Sequence, residues 1–540
     1  MLVNDRIWVA QGERPCHLLL NQANRHGLIA GASGTGKTVT LKLLAEGFSN
    51  AGVPVFMADV KGDVTGMAQA GEISDGLRRR MDFFGIKEDE FIFQAAPVRI
   101  WDMLGDPGIP VRITVSDMGP VLLSRLLGLT DVQEGVLNIV FRVADDEGLL
   151  LIDLKDLRSM LAYVAEHAKD YQTSYGNVSA QSVGAIQRAL IAVEDQGGNV
   201  FFGEPALSLE DLIACGPDGR GYVNVLNAAR LIQSPQVYAM FLLWMLSSLF
   251  DVLPEVGDPE KPRLVFFFDE AHLLFSGMPK QLEDKIVQVV KLIRSKGVGI
   301  YFITQSPSDI PDAVLAQLSN RVQHGLRAYT PAEQKVVRAA ASSFRSNPAF
   351  DSVQALQELG TGEALVSMLD EGGTPSVVER AKVLFPQCRM AAADPELVQG
   401  VLSSQTELMA RYGLAVDRES AFELLNQQAA QSAEAARLAA ERAAFEKEKA
   451  EFEAQRQKEA EKAQKQAERD AERARRQAEK EAERQARLAE RQAEREERER
   501  QKREEQMAKN VGRFATSILG TFGREATRQL TRGLFGALKR

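Results

Sequence analysis

The chain contains 540 residues, of which 45% are hydrophobic, and this size and composition are typical of a globular protein with two or more domains. Its 65 basic and 74 acidic residues give a net charge of −9, which excludes a uniformly basic nucleic-acid binder. The three cysteines, Cys16, Cys215 and Cys388, lie too far apart for a zinc cluster or a disulfide framework and predict a cytoplasmic protein.

Two segments bear on membrane attachment. Residues 1–15 lack the charged-then-apolar pattern of a signal peptide. The most apolar stretch, residues 238–250, is too short to cross a bilayer and predicts a buried helix. The sequence therefore predicts a chain without a transmembrane segment.

The predicted elements divide the chain into regions of different character. Strand and helix patterns alternate over residues 1–100, helical periodicity dominates residues 101–220, and strand patterns return over residues 221–390. Residues 391–429 are a predicted helical connection. Alternating strands and helices favour an α/β fold with a mostly parallel sheet covered on both faces, with residues 101–220 as a helical insertion or subdomain. Strand patterns lie within residues 26–30, 53–60, 91–97, 221–228, 263–272, 298–306 and 363–369.

The octet GASGTGKT, residues 31–38, matches the phosphate-binding P-loop, G-x-x-x-x-G-K-[ST]. Its glycines let successive backbone N–H groups point at phosphate oxygens. Lys37 supplies a charge for the β- and γ-phosphates, and Thr38 a hydroxyl for Mg²⁺. A predicted strand before the octet and a predicted helix after it fit this role, because the helix N-terminus would face the phosphates. The predicted nucleotide-binding residues are Gly31, Ala32, Ser33, Gly34, Thr35, Gly36, Lys37 and Thr38.

Polar residues follow three further predicted strands. Asp269 and Glu270 come directly after the apolar run LVFFF, in a Walker B pattern. Asp269 would hold Mg²⁺, and Glu270 would orient the attacking water. Asp59, in DVKGD, would reach the same sheet edge, although a loop carboxylate that caps the next helix is the alternative. Gln305 would contact the γ-phosphate or the water, or would be a strand-end turn residue.

Two arginines are candidates for a group that one subunit inserts into its neighbour's site. Such an arginine stabilises the charge of the transition state in many NTPases. Arg294, in KLIRSKG, and Arg321, in LSNRVQHGL, are the candidates. A surface salt bridge is the alternative role for each.

The composition changes near residue 429. Residues 430–508 are almost wholly Ala, Glu, Arg, Lys and Gln, and predict a long charged helix. A solvated single helix with i,i+4 ion pairs, a weak coiled coil and a nucleic-acid-binding rod all fit this pattern. Residues 509–540 carry seven basic residues against one acid in an amphipathic pattern. Such a tail suits its own oligomer, a membrane surface, a partner or DNA.

Five segments together resemble HerA/FtsK-type ATPases, in the order seen in that family. The resemblance is closest to the HerA-like branch of bacterial proteins that carry a domain of unknown function (YjgR type), and it covers about residues 1–390. The segments are HGLIAGASGTGKT, DVKGD, LVFFFDEAH, RSKGVGIYFITQSPSDIP and LSNRVQHGLRA.

The resemblance implies a RecA-like core, a homohexameric ring, ATP and Mg²⁺ as ligands, and motor activity on DNA. Carried onto matching positions, it implies that Lys37 and Thr38 bind nucleotide and that Gln305 is a sensor. It further implies that Arg294 is the inserted arginine. Asp59, Asp269 and Glu270 would serve the metal and the water.

Two functions follow from these features. The first is an ATP-driven ring that translocates or remodels DNA. The alternative is a protein-directed or regulatory ATPase related to the type IV secretion coupling ATPases, with a protein partner bound through the long helix or the tail. An ABC or SMC ATPase fits worse because an LSGGQ-like signature is absent, and a small GTPase fits worse because an N-K-x-D element is absent.

Overall fold

The computed structural model describes residues 1–231, 234–275 and 280–503. The predicted basic tail, residues 509–540, and the end of the predicted charged helix, residues 504–508, lie outside the described residues. Those two predictions therefore stay predictions.

The described residues up to Ser432 form one compact unit that is built on a thirteen-stranded sheet. The strands are β1 (Leu2–Val3), β2 (Arg6–Gln11), β3 (Pro15–Leu19), β4 (Gly27–Ala30), β5 (Val55–Asp59), β6 (Val98–Asp102), β7 (Ile109–Pro110), β8 (Val223–Asn227), β9 (Leu264–Phe268), β10 (Val298–Thr304), β11 (Asn320–His324), β12 (Glu363–Ser367) and β13 (Glu379–Val383).

The strand order across the sheet is β1-β2-β13-β12-β11-β4-β10-β9-β5-β8-β6-β7, with β3 paired to β2. From β11 to β7 every neighbouring pair is parallel. From β12 to β1 the pairs are antiparallel, as is the pairing of β3. The predicted α/β class with a mostly parallel sheet is confirmed.

The compact unit contains helices α1 to α17 and the start of α18. They are α1 (Lys37–Asn50), α2 (Asp75–Phe84), α3 (Val115–Leu126), α4 (Asp131–Glu147), α5 (Leu154–Glu166), α6 (Ala168–Tyr175), α7 (Ala180–Asp195), α8 (Gly198–Phe201), α9 (Leu209–Leu212), α10 (Pro235–Val252), α11 (His272–Phe275), α12 (Lys280–Ile293), α13 (Asp312–Leu315), α14 (Pro331–Ser342), α15 (Ser352–Glu358), α16 (Pro395–Ser404), α17 (Thr406–Tyr412) and α18 (Ala421–Arg503).

The central parallel strands are buried on both faces, which explains their continuous apolar sequences. In β9, Phe266 and Phe268 join one hydrophobic core, while Val265 and Phe267 join the other. This alternation follows the two-residue period of a strand. Helices α3–α5, α7, α10 and α12 cover the first face, and α1 and α2 cover the second.

Helix α10 contains the predicted buried helix, residues 238–250, and its side chains belong to the first core. Across the described ranges, bilayer-spanning helices are absent. Between β7 and β8 the chain is helical, from α3 to α9. Helices α3, α4 and α5 begin at reciprocal capping boxes, which satisfy N–H groups that a helix start leaves free; the box pairs are Thr114 with Asp117, Thr130 with Gln133 and Asp153 with Asp156.

One predicted strand is wrong. Residues 91–97 are not a strand, and the strand begins at Val98 instead. Phe91 and Ala96 are buried in the second core, where Phe91 packs on Phe93 and Phe385, but Ile92 is 70% exposed. The backbone amides of the segment bond outside the sheet, as in the Ala96 N–H donation to the Met67 carbonyl. The apolar run therefore predicted the burial of only part of the segment and predicted sheet pairing incorrectly.

The predicted long charged helix is present as α18, with 83 residues. From residue 433 to residue 495 its side chains are exposed. It carries i,i+4 ion pairs between Arg437 and Glu441 and between Glu472 and Arg476. The choice between a single helix and a coiled coil stays a prediction.

Two buried charges on α1 fasten the chain segment that follows β13. The Glu46 carboxylate accepts hydrogen bonds from the Gln387 and Cys388 N–H groups. The Lys42 ammonium group is fully buried and donates to four backbone carbonyls, which lowers the cost of placing a charge there. These carbonyls belong to Asp63, Arg389, Met390 and Ala391.

His26 makes the stability of this unit dependent on pH. Its Nδ1 accepts a hydrogen bond from the Ile300 N–H, and its Nε2 donates to the Val290 carbonyl. Burial lowers the pKa of His26 from 6.5 to about 4. The stabilisation of the neutral ring is therefore present above pH 6.5 and is lost as the pH falls through about 4.

We expect the free energy of unfolding to fall by up to about 1.4 kcal/mol per pH unit for this histidine as the pH drops below 6.5. In His26→Gln the protein should be less stable at pH 7, but its pH dependence should be shallower. Denaturant titrations at pH 7, 6 and 5 measure this, with the half-buried His167→Gln as control. An unchanged pH dependence in His26→Gln would contradict the assignment.

Candidate functional site

The P-loop lies between the end of β4 at Ala30 and the start of α1 at Lys37. Gly31, Gly34 and Gly36 have φ angles of 155°, 74° and 115°, which L side chains rarely adopt. A Cβ on Gly31 would lie 2.5 Å from the Cβ of His324. The motif glycines are thus required by backbone conformation and, at Gly31, by space.

The loop is attached to the strands on both sides of β4. The Gly31 N–H donates to the Thr304 carbonyl at the end of β10, at 3.3 Å. The Ala32 N–H donates to the Gly325 carbonyl just after β11, at 3.0 Å. Inside the loop, the Thr35 hydroxyl donates to the Ala32 carbonyl at 2.6 Å. Hydrogen bonds within the protein therefore hold the loop in this shape.

His324, at the end of β11, braces the start of α1. Its Nε2 lies 2.8 Å from the Thr40 hydroxyl, and its Nδ1 lies 3.0 Å from the Glu363 carbonyl. Burial lowers the pKa of His324 to about 4, so the ring is neutral at physiological pH. No sequence motif indicates this contact.

Lys37 extends back across the loop. Its Nζ donates to the Gly31 carbonyl at 2.6 Å and to the Ala32 carbonyl at 3.0 Å. Burial lowers the pKa of Lys37, and the nearby charge of Lys61 lowers it further. The carboxylates of Asp269 and Glu270 act in the opposite direction. The four side chains therefore share one electrostatic environment.

Asp269 and Glu270 follow β9 and are both buried, at 5% and 6% exposure. An Asp269 carboxylate oxygen accepts from the Glu270 N–H at 2.9 Å. Burial raises the pKa of Asp269 to about 6. Glu270 has a φ of 48°, a left-handed value that is unusual for a residue other than glycine and that is typical of functional sites.

The Glu270 carboxylate is held from the loop after β5. Its Oε1 lies 2.5 Å from the Lys61 Nζ. Its Oε2 lies 3.2 Å from the His272 Nδ1 but is buried without a hydrogen-bond partner in the described part of the chain. Burial favours the neutral acid, yet Lys61 and a hydrogen bond with Gln305 hold the pKa of Glu270 below its ordinary value.

Asp59, the last residue of β5, lies at the same sheet edge but has local partners. Its carboxylate accepts from the N–H groups of Gly62, Val64 and Thr65 at 2.7, 3.0 and 3.3 Å. These are the bonds expected of a loop carboxylate that caps the following turn. The predicted service of Asp59 to the metal or the water stays a prediction.

Gln305 follows β10, the strand between β4 and β9, and is exposed. The P-loop, Asp269, Glu270 and Gln305 therefore meet at the carboxyl ends of three adjacent parallel strands. Open α/β sheets bind their ligands at this edge.

The two candidate arginines lie at the other ends of their strands. Arg294 is exposed and precedes β10, whose seven residues place it roughly 20 Å from Gln305. Arg321, the second residue of β11, is half-buried, and its guanidinium donates to the carbonyls of Leu315, Leu318 and Ser343. Neither arginine reaches the P-loop of its own chain.

The site fits a magnesium nucleotide. Left-handed loop glycines, the start of α1 and Lys37 provide donors for phosphate oxygens. Thr38, the second residue of α1, and Asp269 provide the oxygen atoms that Mg²⁺ prefers. Groups of three or more metal-ligating His, Cys, Asp or Glu side chains do not occur in the described ranges, so phosphate oxygens would complete the coordination.

The strand order β11-β4-β10-β9-β5, with the P-loop after β4 and the acidic pair after β9, defines a RecA-like P-loop NTPase. A family model described as "Helicase HerA-like C-terminal" matches residues 4–540. The chain therefore belongs to that family, and the resemblance to HerA-type ATPases is confirmed.

Individual relatives are more distant. "Probable helicase MJECL08" of Methanocaldococcus jannaschii is 33% identical over 125 residues, which cover 22% of each chain. "DNA double-strand break repair helicase HerA" of Sulfurisphaera tokodaii is 25% identical over 191 residues, which cover 35% of this chain and 37% of that protein. The chain thus spans well under half the length of these curated relatives.

Two solved structures overlap with most of the chain. The bacterial conjugative coupling protein TrwBdeltaN70 is 16% identical, with a TM-score of 0.45 over 70% of this chain and 89% of that one. VirB4 of Thermoanaerobacter pseudethanolicus is 15% identical, with a TM-score of 0.44 over 74% of this chain and 99% of that one.

Substitution of Glu270 separates binding from turnover. In Glu270→Gln we expect nucleotide to bind at least as tightly as to the wild type, because Lys37 and the loop are unchanged. We expect turnover to fall at least about a hundredfold, since an amide cannot accept a proton from water. Titration with labelled ATP and a phosphate-release assay measure the two effects. Loss of nucleotide binding would instead mean that Glu270 is structural.

Proposed function

We propose that the protein is an ATP-hydrolysing motor that works as a homo-oligomeric ring and translocates DNA. The observation that carries the ATPase part is the meeting of the P-loop, Asp269, Glu270 and Gln305 at one sheet edge. They follow three adjacent strands of a buried parallel sheet, β4, β9 and β10, so their separation is fixed by the core.

Each side chain has a distinct task in this proposal. Lys37 and the loop amides bind the β- and γ-phosphates, while Thr38 and Asp269 hold Mg²⁺, which neutralises phosphate charge when bound. Glu270 orients the attacking water and accepts its proton, and its unpartnered buried Oε2 suits that role. Gln305, which lies close enough to Glu270 to help lower its pKa, would report the state of the γ-phosphate.

A ring is proposed because neither candidate arginine reaches the P-loop of its own chain, so the arginine that stabilises transition-state charge would come from a neighbouring subunit. Arg294 is exposed and lies at the far end of β10, so it can reach a phosphate only in another subunit. Arg321 suits this task less well, since three backbone carbonyls already engage its guanidinium. We propose Arg294 as the inserted arginine of a hexameric ring.

DNA is the proposed substrate. Family membership and the names of the relatives, a probable helicase and a DNA double-strand break repair helicase, support it. A cytoplasmic location fits the three free cysteines, of which Cys16 and Cys388 are buried. A protein-directed or regulatory ATPase remains the second candidate, with the exposed α18 available to a protein partner.

The substrate is tested by ATP hydrolysis with no DNA, single-stranded DNA and double-stranded DNA over a salt series. We expect DNA to stimulate hydrolysis and the stimulation to fall steeply with salt, because phosphate contacts release counterions. Lys37→Ala controls for contaminating ATPases and should be inactive. A hydrolysis rate that is the same with and without DNA at every salt concentration would contradict the proposed DNA substrate and favour a protein-directed ATPase.

The inserted arginine is tested by mixing inactive subunits. Arg294→Ala and Glu270→Gln subunits should each be inactive alone, yet mixtures should recover part of the activity. In a mixed ring, the Arg294 of a Glu270→Gln subunit serves the intact Glu270 of its neighbour. The exposed Arg338→Ala should keep wild-type activity. Mixtures that stay as inactive as the single variants would rule out this role for Arg294.

A further inference from the structure

Lys61 is a second lysine at the nucleotide site, and the P-loop motif does not assign it. Its Nζ makes the ion pair with Glu270 Oε1 at 2.5 Å. The two partners differ in exposure, since the Lys61 side chain is 47% exposed and the Glu270 side chain 7%. Lys61 can therefore change partner by moving through solvent, whereas Glu270 is fixed by its surroundings.

The turn that carries Lys61 is built to hold it at the sheet edge. The Asp59 carboxylate accepts hydrogen bonds from three N–H groups of the turn, and Gly62 within the turn adopts a φ of 79°. The Thr65 hydroxyl donates to the Gly62 carbonyl at 3.1 Å and closes the turn. Hydrogen bonds thus hold the backbone around Lys61, whereas the Lys61 side chain is half-exposed.

Lys37 and Lys61 lie at this edge with the carboxylates of Asp269 and Glu270, and the acids of the turn, Asp59 and Asp63, add negative charge nearby. Lys61 lies close enough to Lys37 to lower its pKa, and it interacts with both Asp269 and Glu270. The γ-phosphate of ATP would bring further negative charge to the space that Lys37 faces. A half-exposed ammonium group is the cation that can respond to that charge at the smallest cost.

We propose that Lys61 is a positioning residue that pairs with Glu270 when the γ-phosphate position is empty and contacts the γ-phosphate when ATP is bound. This inference rests on the proposed ATPase function. The exchange releases Glu270 Oε1, so that both oxygen atoms of the carboxylate can serve the attacking water. With ADP, Lys61 keeps its ion pair with Glu270, so the Glu270 carboxylate is not released to act on the water. Lys61 would therefore discriminate between the two nucleotides.

A merely structural ion pair makes a different prediction. It would stabilise the loop after β5 equally in every nucleotide state. Its removal would then change stability, or change the affinity for all nucleotides alike. Two quantities distinguish the roles. The first is the ratio of the affinities for an ATP analogue and for ADP, and the second is the change of that ratio when Glu270 is also substituted.

The experiment measures equilibrium binding of AMP-PNP and of ADP, each with Mg²⁺, to four full-length proteins. They are the wild type, Lys61→Met, Glu270→Gln and the double variant. None of these titrations depends on turnover. Lys61→Arg tests whether the charge suffices, and Lys87→Met removes an exposed lysine that pairs with Glu90 instead.

We expect Lys61→Met to weaken AMP-PNP about tenfold, as loss of a charge-assisted contact predicts, and to change ADP affinity less than about twofold. Glu270→Gln should tighten AMP-PNP in the Lys61 background, because Lys61 is then no longer shared. It should have no such effect in the Lys61→Met background. Lys61→Arg and Lys87→Met should behave like the wild type.

Three results would overturn the proposal. Equal weakening of AMP-PNP and ADP by Lys61→Met would make Lys61 a structural or general phosphate contact. An equal effect of Glu270→Gln in both backgrounds would remove the coupling between the two residues. If the wild type and Glu270→Gln bind neither nucleotide, the ATPase assignment fails together with this inference. If both nucleotides bind normally but the two substitutions are not coupled, only the proposed role of Lys61 fails.

Discussion

The burial of the central parallel strands on both faces is the constraint on which the site depends. Helices cover β4, β10 and β9 from both sides, so alternate residues along each strand enter different hydrophobic cores. Polar chemistry is confined to the strand ends, because a buried polar side chain within such a strand would need a partner. Adjacent strands end at the same edge, and this brings the P-loop next to Asp269 and Glu270. The core, rather than the loops, sets the distances.

The two neighbouring carboxylates have opposite electrostatic environments. Burial raises the pKa of Asp269, whereas Lys61 holds the pKa of Glu270 down in spite of burial. Two titratable groups that are shifted apart in this way are suited to different tasks. The environment thus separates a carboxylate that would hold the metal from one that would act on water, although the two are consecutive in the chain.

The sequence predicted the parts of the site that depend on local order. The P-loop glycines and the Asp–Glu pair were predictable because each is a short motif at the end of an apolar strand. Lys61 and His324 were missed because their partners are distant in sequence, and no spacing rule connects them. Residues 91–97 were misassigned because aromatic packing and strand pairing require the same apolar residues. The helical state of residues 430–503 was predictable, since helix-favouring composition needs no tertiary partner to be recognised.

Helix α1 connects more of the protein than its role in phosphate binding suggests. It begins at Lys37, and one turn later its Lys42 ties the turn that carries Lys61 to residues 389–391. Glu46, one helical turn further along α1, accepts hydrogen bonds from the N–H groups of Gln387 and Cys388. Substitutions of Lys42 or Glu46 would consequently lower ATPase activity in the way that substitutions in the nucleotide site do. Neither side chain is expected to touch nucleotide, so distance from the phosphates is a poor guide to severity in this protein.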